Sequence, residues 1–202
     1  MSRELPTDEH ERELRTLGFE RIAGVDEAGR GALAGPVVAA AAVLPWNCHI
    51  AGVRDSKLIA EPERERLYEE VIIHAAAWCV GIVNNDEIDR INILQATFQA
   101  MRIAVRGLAG AADYVLIDGR DNVDVGLPCR AIIDGDALCR SIAAASIIAK
   151  VTRDRIMRRE HEMLPQYGFA SHKGYGTPAH RRAIVEHGPA SIHRSSFLGR
   201  VL

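Results

Sequence analysis

The chain has 202 residues, 48% of them hydrophobic and 26% charged, with a formal net charge of −2. That length suits one domain burying its own core, and that balance excludes a disordered chain. The longest apolar run, Val37 to Pro45, stops far short of the roughly 20 residues a membrane helix needs, and the start "MSRELPTDEHERELRTLG" is too charged for a signal peptide, so a cytoplasmic protein without membrane contact is expected.

In chain order, residues 7–17 read as a short helix closed by Gly18, and "RIAGVDE" reads as a strand. "PVVAAAAVLP" reads as a second strand despite its alanines, because prolines bracket it and only a glycine turn separates it from the first, as in a hairpin. "EPERERLYEEVIIHAAA" carries Pro62 and early glutamates, with Leu67 and Val71 at helical spacing, and is followed by the strand "WCVGIV". From Asn85, Ile88, Ile91, Leu94, Phe98, Met101 and Val105 recur at steps of three and four, which predicts one amphipathic helix ended by glycine. "DYVLIDG" and "RAIIDGD" read as buried strands of a partly parallel sheet. A long alanine-rich helix from Cys139 and a shorter one from Thr177 close the chain. The sum is an α/β fold, a mixed five-stranded sheet flanked by helices.

The four cysteines, Cys48, Cys79, Cys129 and Cys139, lack C-x-x-C spacing and signal neither a zinc site nor a disulfide framework. Charge is unevenly placed: residues 1–149 hold 15 Lys+Arg against 23 Asp+Glu, and residues 150–202 hold 10 against 4, with five of the eight histidines. A basic C-terminal quarter suits a polyanion, although Lys150 with Asp154 and Arg158 with Glu162 could pair as a solvated helix face.

Asp26, Glu27, Asp118, Asp134 and Asp136 fall at the ends of predicted strands, where α/β folds build their sites. Each alone is an ordinary turn former or cap. Together they would repel, and a fold tolerates such a group when a hard divalent cation neutralises it, which points to Mg²⁺ or Mn²⁺. Consecutive Asp26 and Glu27 should point to opposite faces of a regular strand, so both serve one site only where the strand ends. The turn "GRGALAG" supplies that ending: Gly29 and Gly31 permit positive φ and close approach to a ligand, and Arg30 suits phosphate. A dinucleotide loop would have to open a helix, whereas this turn leads through Pro36 into a strand behind two carboxylates.

"GVDEAGRGALAGPVVAAAAVLP", "DSK", "NILQATFQAM", "YVLIDG", "GDALCRSIAAASIIAKVTRDR", "YGFASHKGYGTPAH" and "IHRSSF" stand in the order and at the spacings of the bacterial ribonuclease HII family, type 2 ribonuclease H, which the chain resembles from Arg21 to Phe197. The resemblance implies an RNase H-like fold with C-terminal helices, here one catalytic domain over 1–202, with an N-terminal helical segment 1–18 and a substrate-contacting segment 165–202. It implies a metal-dependent endonuclease that hydrolyses the RNA strand of RNA/DNA hybrids and cuts 5′ of single ribonucleotides in duplex DNA, as in ribonucleotide excision repair. Two divalent ions, Mn²⁺ or Mg²⁺, would leave 3′-hydroxyl and 5′-phosphate ends.

By the same resemblance the catalytic acids and metal ligands are Asp26, Glu27, Asp118 and Asp136, and Asp134 drops out as a turn residue. Gly29, Arg30 and Gly31 would read the ribose 2′-hydroxyl, Tyr175 would meet the neighbouring deoxyribose, and Lys57 would meet phosphate. Ala32, Leu58 and Leu138 stand where the family usually has proline, lysine and a basic residue, so the phosphate contacts around 55–58 and 138 are expected to depart from the family's, with Arg140 a candidate substitute. His172 and His193 read as structural or substrate-contacting rather than as nucleophiles. The expected partners are RNA/DNA hybrid and ribonucleotide-containing duplex DNA, with a monomer the expected state. A noncatalytic binding module and a proofreading exonuclease are the competing readings; the four acids oppose the first, and adjacent D-E rather than D-x-E opposes the second.

Overall fold

Strand β2, Val37–Val43, is buried along its whole length, and its sequence VVAAAAV shows what the rest of the fold demands of it. Helices press on it from both faces, so side chains larger than alanine would hold them off. The computed structural model describes residues 5–46, 48–121 and 123–200. The first four residues of the expected 1–18 segment therefore lie outside the described residues.

The elements run α1 (Glu9–Thr16), β1 (Ile22–Ala28), β2, α2 (Glu61–His74), β3 (Ala77–Val83), α3 (Asn85–Ile91), α4 (Ile93–Gly107), β4 (Tyr114–Asp118), β5 (Cys129–Ile132), α5 (Gly135–Leu138), α6 (Arg140–Met163), α7 (Phe169–His172) and α8 (Pro178–His187), with 3₁₀ turns at Ser56–Leu58, Pro165–Tyr167 and Ser195–Arg200. The five strands form one mixed sheet in the order β3-β2-β1-β4-β5. β1, β2 and β3 are antiparallel neighbours, whereas β4 and β5 continue parallel to β1.

Helix α4 covers one face, where Ala96, Ala100, Met101 and Ala104 meet Ala39, Ala41, Val25 and Val115. Helices α2 and α6 cover the other, where Leu67, Val71 and the run Ala143–Ala149 meet Ala40 and Ala42. The approach is close enough that a Cβ on Gly24 would lie 2.0 Å from the Ser141 carbonyl carbon, and one on Gly81 would lie 2.0 Å from the Ala100 oxygen. Alanine's weak strand propensity is thus overridden by the space left between helices. A smaller apolar cluster joins the C-terminal segment to the molecule through Leu33, Ala34, Met157, Phe169 and Ile184.

Three features differ from the sequence expectation. The single helix predicted from Asn85 breaks at Asn92, whose φ is +68° and whose side-chain oxygen accepts from Gln95 N to cap α4. Asparagine tolerates the left-handed region and caps well, so the apolar period continues across a break it cannot reveal. The connection between β1 and β2 is an eight-residue loop over 29–36 rather than a tight turn. Arg158 pairs with Glu61 and Glu65 of α2, and Arg155 with Glu65 and Glu69, so this part of the basic helix face is neutralised across α2. All four cysteines are free thiols.

Candidate active site

The parallel register places the acids. Val25 of β1 stands beside Ile117 of β4, so the next step brings Asp26 beside Asp118 at the C-terminal rim of the sheet. Asp118 pairs with Ile132 at the end of β5, after which the chain turns through Asp134 in the left-handed region and Gly135 into α5, which carries Asp136. Asp118 Oδ1 accepts from Gly135 N at 2.7 Å and from Asp136 N at 3.4 Å, which folds this turn back onto β4. Asp26, Asp118 and Asp136 each present a carboxylate oxygen within 4.8 Å of the others.

Burial and mutual repulsion set the electrostatics. Asp26 is 3% exposed. Its burial first, then the neighbouring charges of Glu27 and Asp118, push its carboxyl well above the usual range, against the Ser146 hydroxyl and Lys57. Burial also raises Asp118, with Asp136 adding to the shift. Lys57 Nζ donates to Asp136 Oδ2 at 3.0 Å; burial works against its charge, but Asp136, Asp26 and Asp55 together raise it. One lysine among three converging carboxylates leaves net negative charge, and hard oxygen donors at this spacing fit a hard divalent cation.

β1 continues one residue past Glu27, to Ala28 paired with Val38, so the departure from alternation expected at Glu27 does not occur there. Asp26 lies on the α6 side with Gly24, and Glu27 lines the same cleft without joining the three converging carboxylates. Its carboxyl lies 3.8 Å from Arg30 Nη1. Burial raises it, with Arg30 opposing and Asp118 adding to the rise.

A cleft of about 570 Å³ is lined by Asp26, Glu27 and Asp118, by Gly29, Arg30 and Gly31, and by Lys57 and Tyr175. Asp136 stands behind Lys57 and lines the adjoining groove with Asp134 and Leu138. The glycines of the turn differ. Gly29 has φ +92°, and a Cβ on it would lie 1.9 Å from Arg153 Nε, so the protein itself demands glycine there. Gly31 has no positive φ and nothing within 4 Å of an added Cβ, which corrects the expectation that both glycines serve backbone freedom.

Tyr175 is fixed by its main chain. It bridges Ala32, and its carbonyl faces His180 Nδ1 at 3.0 Å. His172 and His193 are engaged in protein contacts: Gly174 N donates to His172 Nδ1, and Ala190 N donates to His193 Nδ1. Arg140 does not face the cleft; it donates to the Cys48 carbonyl and pairs with Asp8. Lys150, which the sequence offers only as half of a surface pair, lines the cleft while bonding Asp154 at 2.7 Å. Ser146 and the buried Arg153 and Arg194 lie within the motif stretches that carry the resemblance, but nothing in the sequence gives them a role.

No helix among the described residues is long and apolar enough to cross a membrane. The family model described as Ribonuclease HII matches residues 23–199. A ribonuclease HII of Geobacter metallireducens is 53% identical over 182 residues, covering 90% of this chain and 85% of that protein. The crystal structure of ribonuclease H2 from Pyrococcus horikoshii OT3 superposes with a TM-score of 0.73 at 29% identity, covering 87% of this chain and 93% of that one. The Mn²⁺ complex of Bst-RNase HIII shares the fold, with a TM-score of 0.62 at 21% identity over 86% of this chain and 65% of that one. Motif order, sheet topology, acid cluster and sequence identity agree: the chain belongs to the ribonuclease HII family and is a ribonuclease H, a divalent-metal-dependent endonuclease of RNA/DNA.

Proposed function

We propose that this cleft cuts both within the RNA strand of hybrids and 5′ of single ribonucleotides embedded in duplex DNA, leaving 3′-hydroxyl and 5′-phosphate ends. The observation that carries the reading is the sharing of one cleft by Asp26, Glu27 and Asp118, the Gly29–Arg30–Gly31 turn and Tyr175, with Asp136 converging on the same acids from the adjoining groove. Asp26, Asp118 and Asp136, joined by Glu27 from the rim, would hold two divalent ions, Mn²⁺ or Mg²⁺. Bound there, the ions would supply a water of lowered pKa for in-line attack and neutralise charge on the leaving 3′ oxygen. Around them, Lys57 and Arg30 orient the phosphates, and the turn's main chain faces the sugar. A site whose main-chain groups hydrogen-bond a hydroxyl rejects the analogue lacking it by roughly 10⁴, because those groups are left unpaired. DNA would then bind without being cut.

Tyr175 offers a ring, 37% exposed, at the far side of the turn, where it can pack on the deoxyribose that follows a lone ribonucleotide. Residues 165–202 serve as the substrate-contacting part of a single catalytic domain, because Ala32 bridges Tyr175 and Ala34 bridges His193. A closed circular duplex containing one ribonucleotide tests the reading with Mn²⁺ or Mg²⁺ present. Nicking at that position is expected. Tyr175→Ala should slow it by about tenfold or more relative to cutting inside continuous RNA, where no deoxyribose junction exists. An uncut circle alongside a cleaved hybrid would defeat the embedded-ribonucleotide reading, and equal losses on both substrates would return Tyr175 to a structural role.

A further inference from the structure

Two arginines lie behind the reading surface, 1% and 0% exposed, and neither forms an ion pair with a carboxylate among the described residues. Burying an unpaired guanidinium costs several kcal/mol unless its donors are satisfied, and here main-chain carbonyls satisfy them. Arg194 donates through Nε to Gly35 O at 2.9 Å, through Nη1 to Arg30 O at 2.9 Å and through Nη2 to Gly29 O at 2.8 Å. Arg153, on α6, donates through Nε to Pro36 O at 2.9 Å, through Nη2 to Ala34 O at 3.0 Å and through Nη1 to Lys173 O at 2.9 Å. Between them they take five carbonyls of the 29–36 loop and one from the loop that carries Tyr175.

The two loops are also joined directly, since Leu33 N donates to Gly174 O at 2.8 Å. Arg153 stands 5.2 Å from the centre of the Tyr175 ring, and the space that a side chain on Gly29 would need is the space its guanidinium occupies. Beyond isolated bridges at Ala32–Tyr175 and Ala34–His193, neither loop belongs to a paired strand. Burial, with repulsion from Arg153 added, lowers Arg194 to about 9, so holding two like charges here works against the stability of the fold. Apolar side chains could fill that volume without the penalty. What they could not do is hold six carbonyls in place, among them those of Gly29 and Arg30, which line the cleft.

We infer that Arg153 and Arg194 are positioning residues of the substrate-reading surface, with Arg194 setting the Gly29–Arg30–Gly31 turn and Arg153 locking the Ala34–Pro36 end of the same loop to the Tyr175 loop so that both loops move as one rigid unit. Their roles differ by connection. Arg194 reaches only the turn, which every substrate meets. Arg153 spans both loops, and only a lone ribonucleotide needs both. The inference rests on the proposed role of Tyr175 for its substrate dependence, but the rigid unit itself can be tested without any substrate.

Native-state amide hydrogen exchange on the wild-type protein is the first measurement, with residues 30–35 and 173–175 expected to open together. Arg194→Lys keeps the charge but cannot span three carbonyls. It should speed exchange in the turn alone and lower kcat on both substrates by about tenfold or more with KM little changed. Arg153→Lys should speed exchange in both segments and slow cutting at a single ribonucleotide by about tenfold more than cutting of a hybrid. Segments that open independently in the wild type would overturn the inference, even if Arg153→Lys fails to fold. Losses that merely follow the folded fraction, alike on both substrates for both variants, would also overturn it. A wild-type protein that opens the two segments together but leaves the embedded ribonucleotide uncut would sink the proposed substrate and not the rigid unit.

Discussion

The acid end of the cleft, proposed to hold the metal, and the end formed by the 29–36 loop and Tyr175, proposed to read the sugar, are built on opposite principles. At Asp26, Asp118 and Asp136 like charges converge, with Lys57 at 3.0 Å from Asp136 as the one cation bonded within the cluster among the described residues. At the 29–36 loop and the loop that carries Tyr175, six carbonyls accept from two buried guanidiniums, and the cost of burying those cations is spread over six hydrogen bonds. The first arrangement is incomplete without an external cation, whereas the second is finished before any substrate arrives. On the proposed function, chemistry would wait on the metal, and selectivity would be set by the protein alone. The two ends also respond oppositely to protons. Carboxyls whose folded pKa is raised favour the fold when protonated, so the metal-free acid end loses stability as pH rises through those values. Histidines whose folded pKa is lowered favour the fold when neutral, so the end behind Tyr175 loses stability as pH falls.

The largest expected effect breaks the comparison at the metal end. Asp26→Asn or Asp118→Asn should lower cleavage by about a thousandfold or more, because each removes a charged oxygen donor from the cluster. Without metal, the same variants should melt no lower than the wild type, and Asp26→Asn should melt higher, since folding no longer buries that charge beside Glu27 and Asp118. Added Mn²⁺ should raise the melting temperature of the wild type more than that of either variant. Full activity in either variant, or an equal response to Mn²⁺, would remove these residues from the metal site.

A smaller effect sharpens the comparison at the reading end, where two glycines two residues apart should behave differently. Gly29→Ala meets both φ +92° and the Arg153 side chain, and should destabilise the protein by about 2–4 kcal/mol. Gly31→Ala meets neither and should leave the melting temperature within the range of a neutral surface change, about 0.5 kcal/mol. It should nevertheless lower cleavage by about tenfold or more, because its methyl group would stand in the cleft where the sugar is expected. Wild-type cleavage by Gly31→Ala would mean that the substrate does not approach this turn.

The fold was legible wherever one residue's chemistry reports its own environment. Short apolar runs bounded by glycine, proline or acids located the five strands, apolar steps of three and four located helices, and prolines bounded β2 although its alanines argued against a strand. The break at Asn92 was hidden because the period of Ile88, Ile91, Leu94 and Phe98 runs on across it. Family resemblance supplied the choice of Asp136 over Asp134, which spacing alone could not make. The roles of Gly29 and Gly31 looked identical in sequence, since the difference lies in Arg153, more than a hundred residues away. Arg153 and Arg194 were illegible in role for the same reason: arginine is a surface residue by type, and only the packing of α6 and of the C-terminal segment against the 29–36 loop puts them inside.

The smallest effect concerns the support behind Tyr175 and turns on one hydrogen-bond chain. His180 Nδ1 faces the Tyr175 carbonyl at 3.0 Å, so Nδ1 carries the proton and Nε2 the lone pair. That lone pair faces His193 Nε2 at 3.1 Å, which must then be the donor, leaving His193 Nδ1 to accept from Ala190 N at 2.9 Å. Each ring is thereby fixed as one neutral tautomer, and a proton added to His180 would set N–H against N–H. Burial above all, with His172 and His193 adding to it, lowers His180 from its ordinary 6.5 to about 4, although the Tyr175 carbonyl works the other way. Between those values the unfolded chain binds a proton that the folded one does not, so stability is full above the upper value and falls as pH drops toward the lower. The shift sets an upper bound on the order of 3 kcal/mol. His180→Asn keeps an N–H for the Tyr175 carbonyl and cannot titrate. Unfolding of both proteins by urea at about pH 7 and about pH 4.5 isolates this site, because the contribution of the acids cancels in the difference between them. At the higher pH the variant should be the less stable, having lost its contact with His193, and at the lower pH that deficit should shrink or reverse. A deficit independent of pH would show that His180 takes up its proton in the folded state, and the chain that holds Tyr175 would then have to run through other groups.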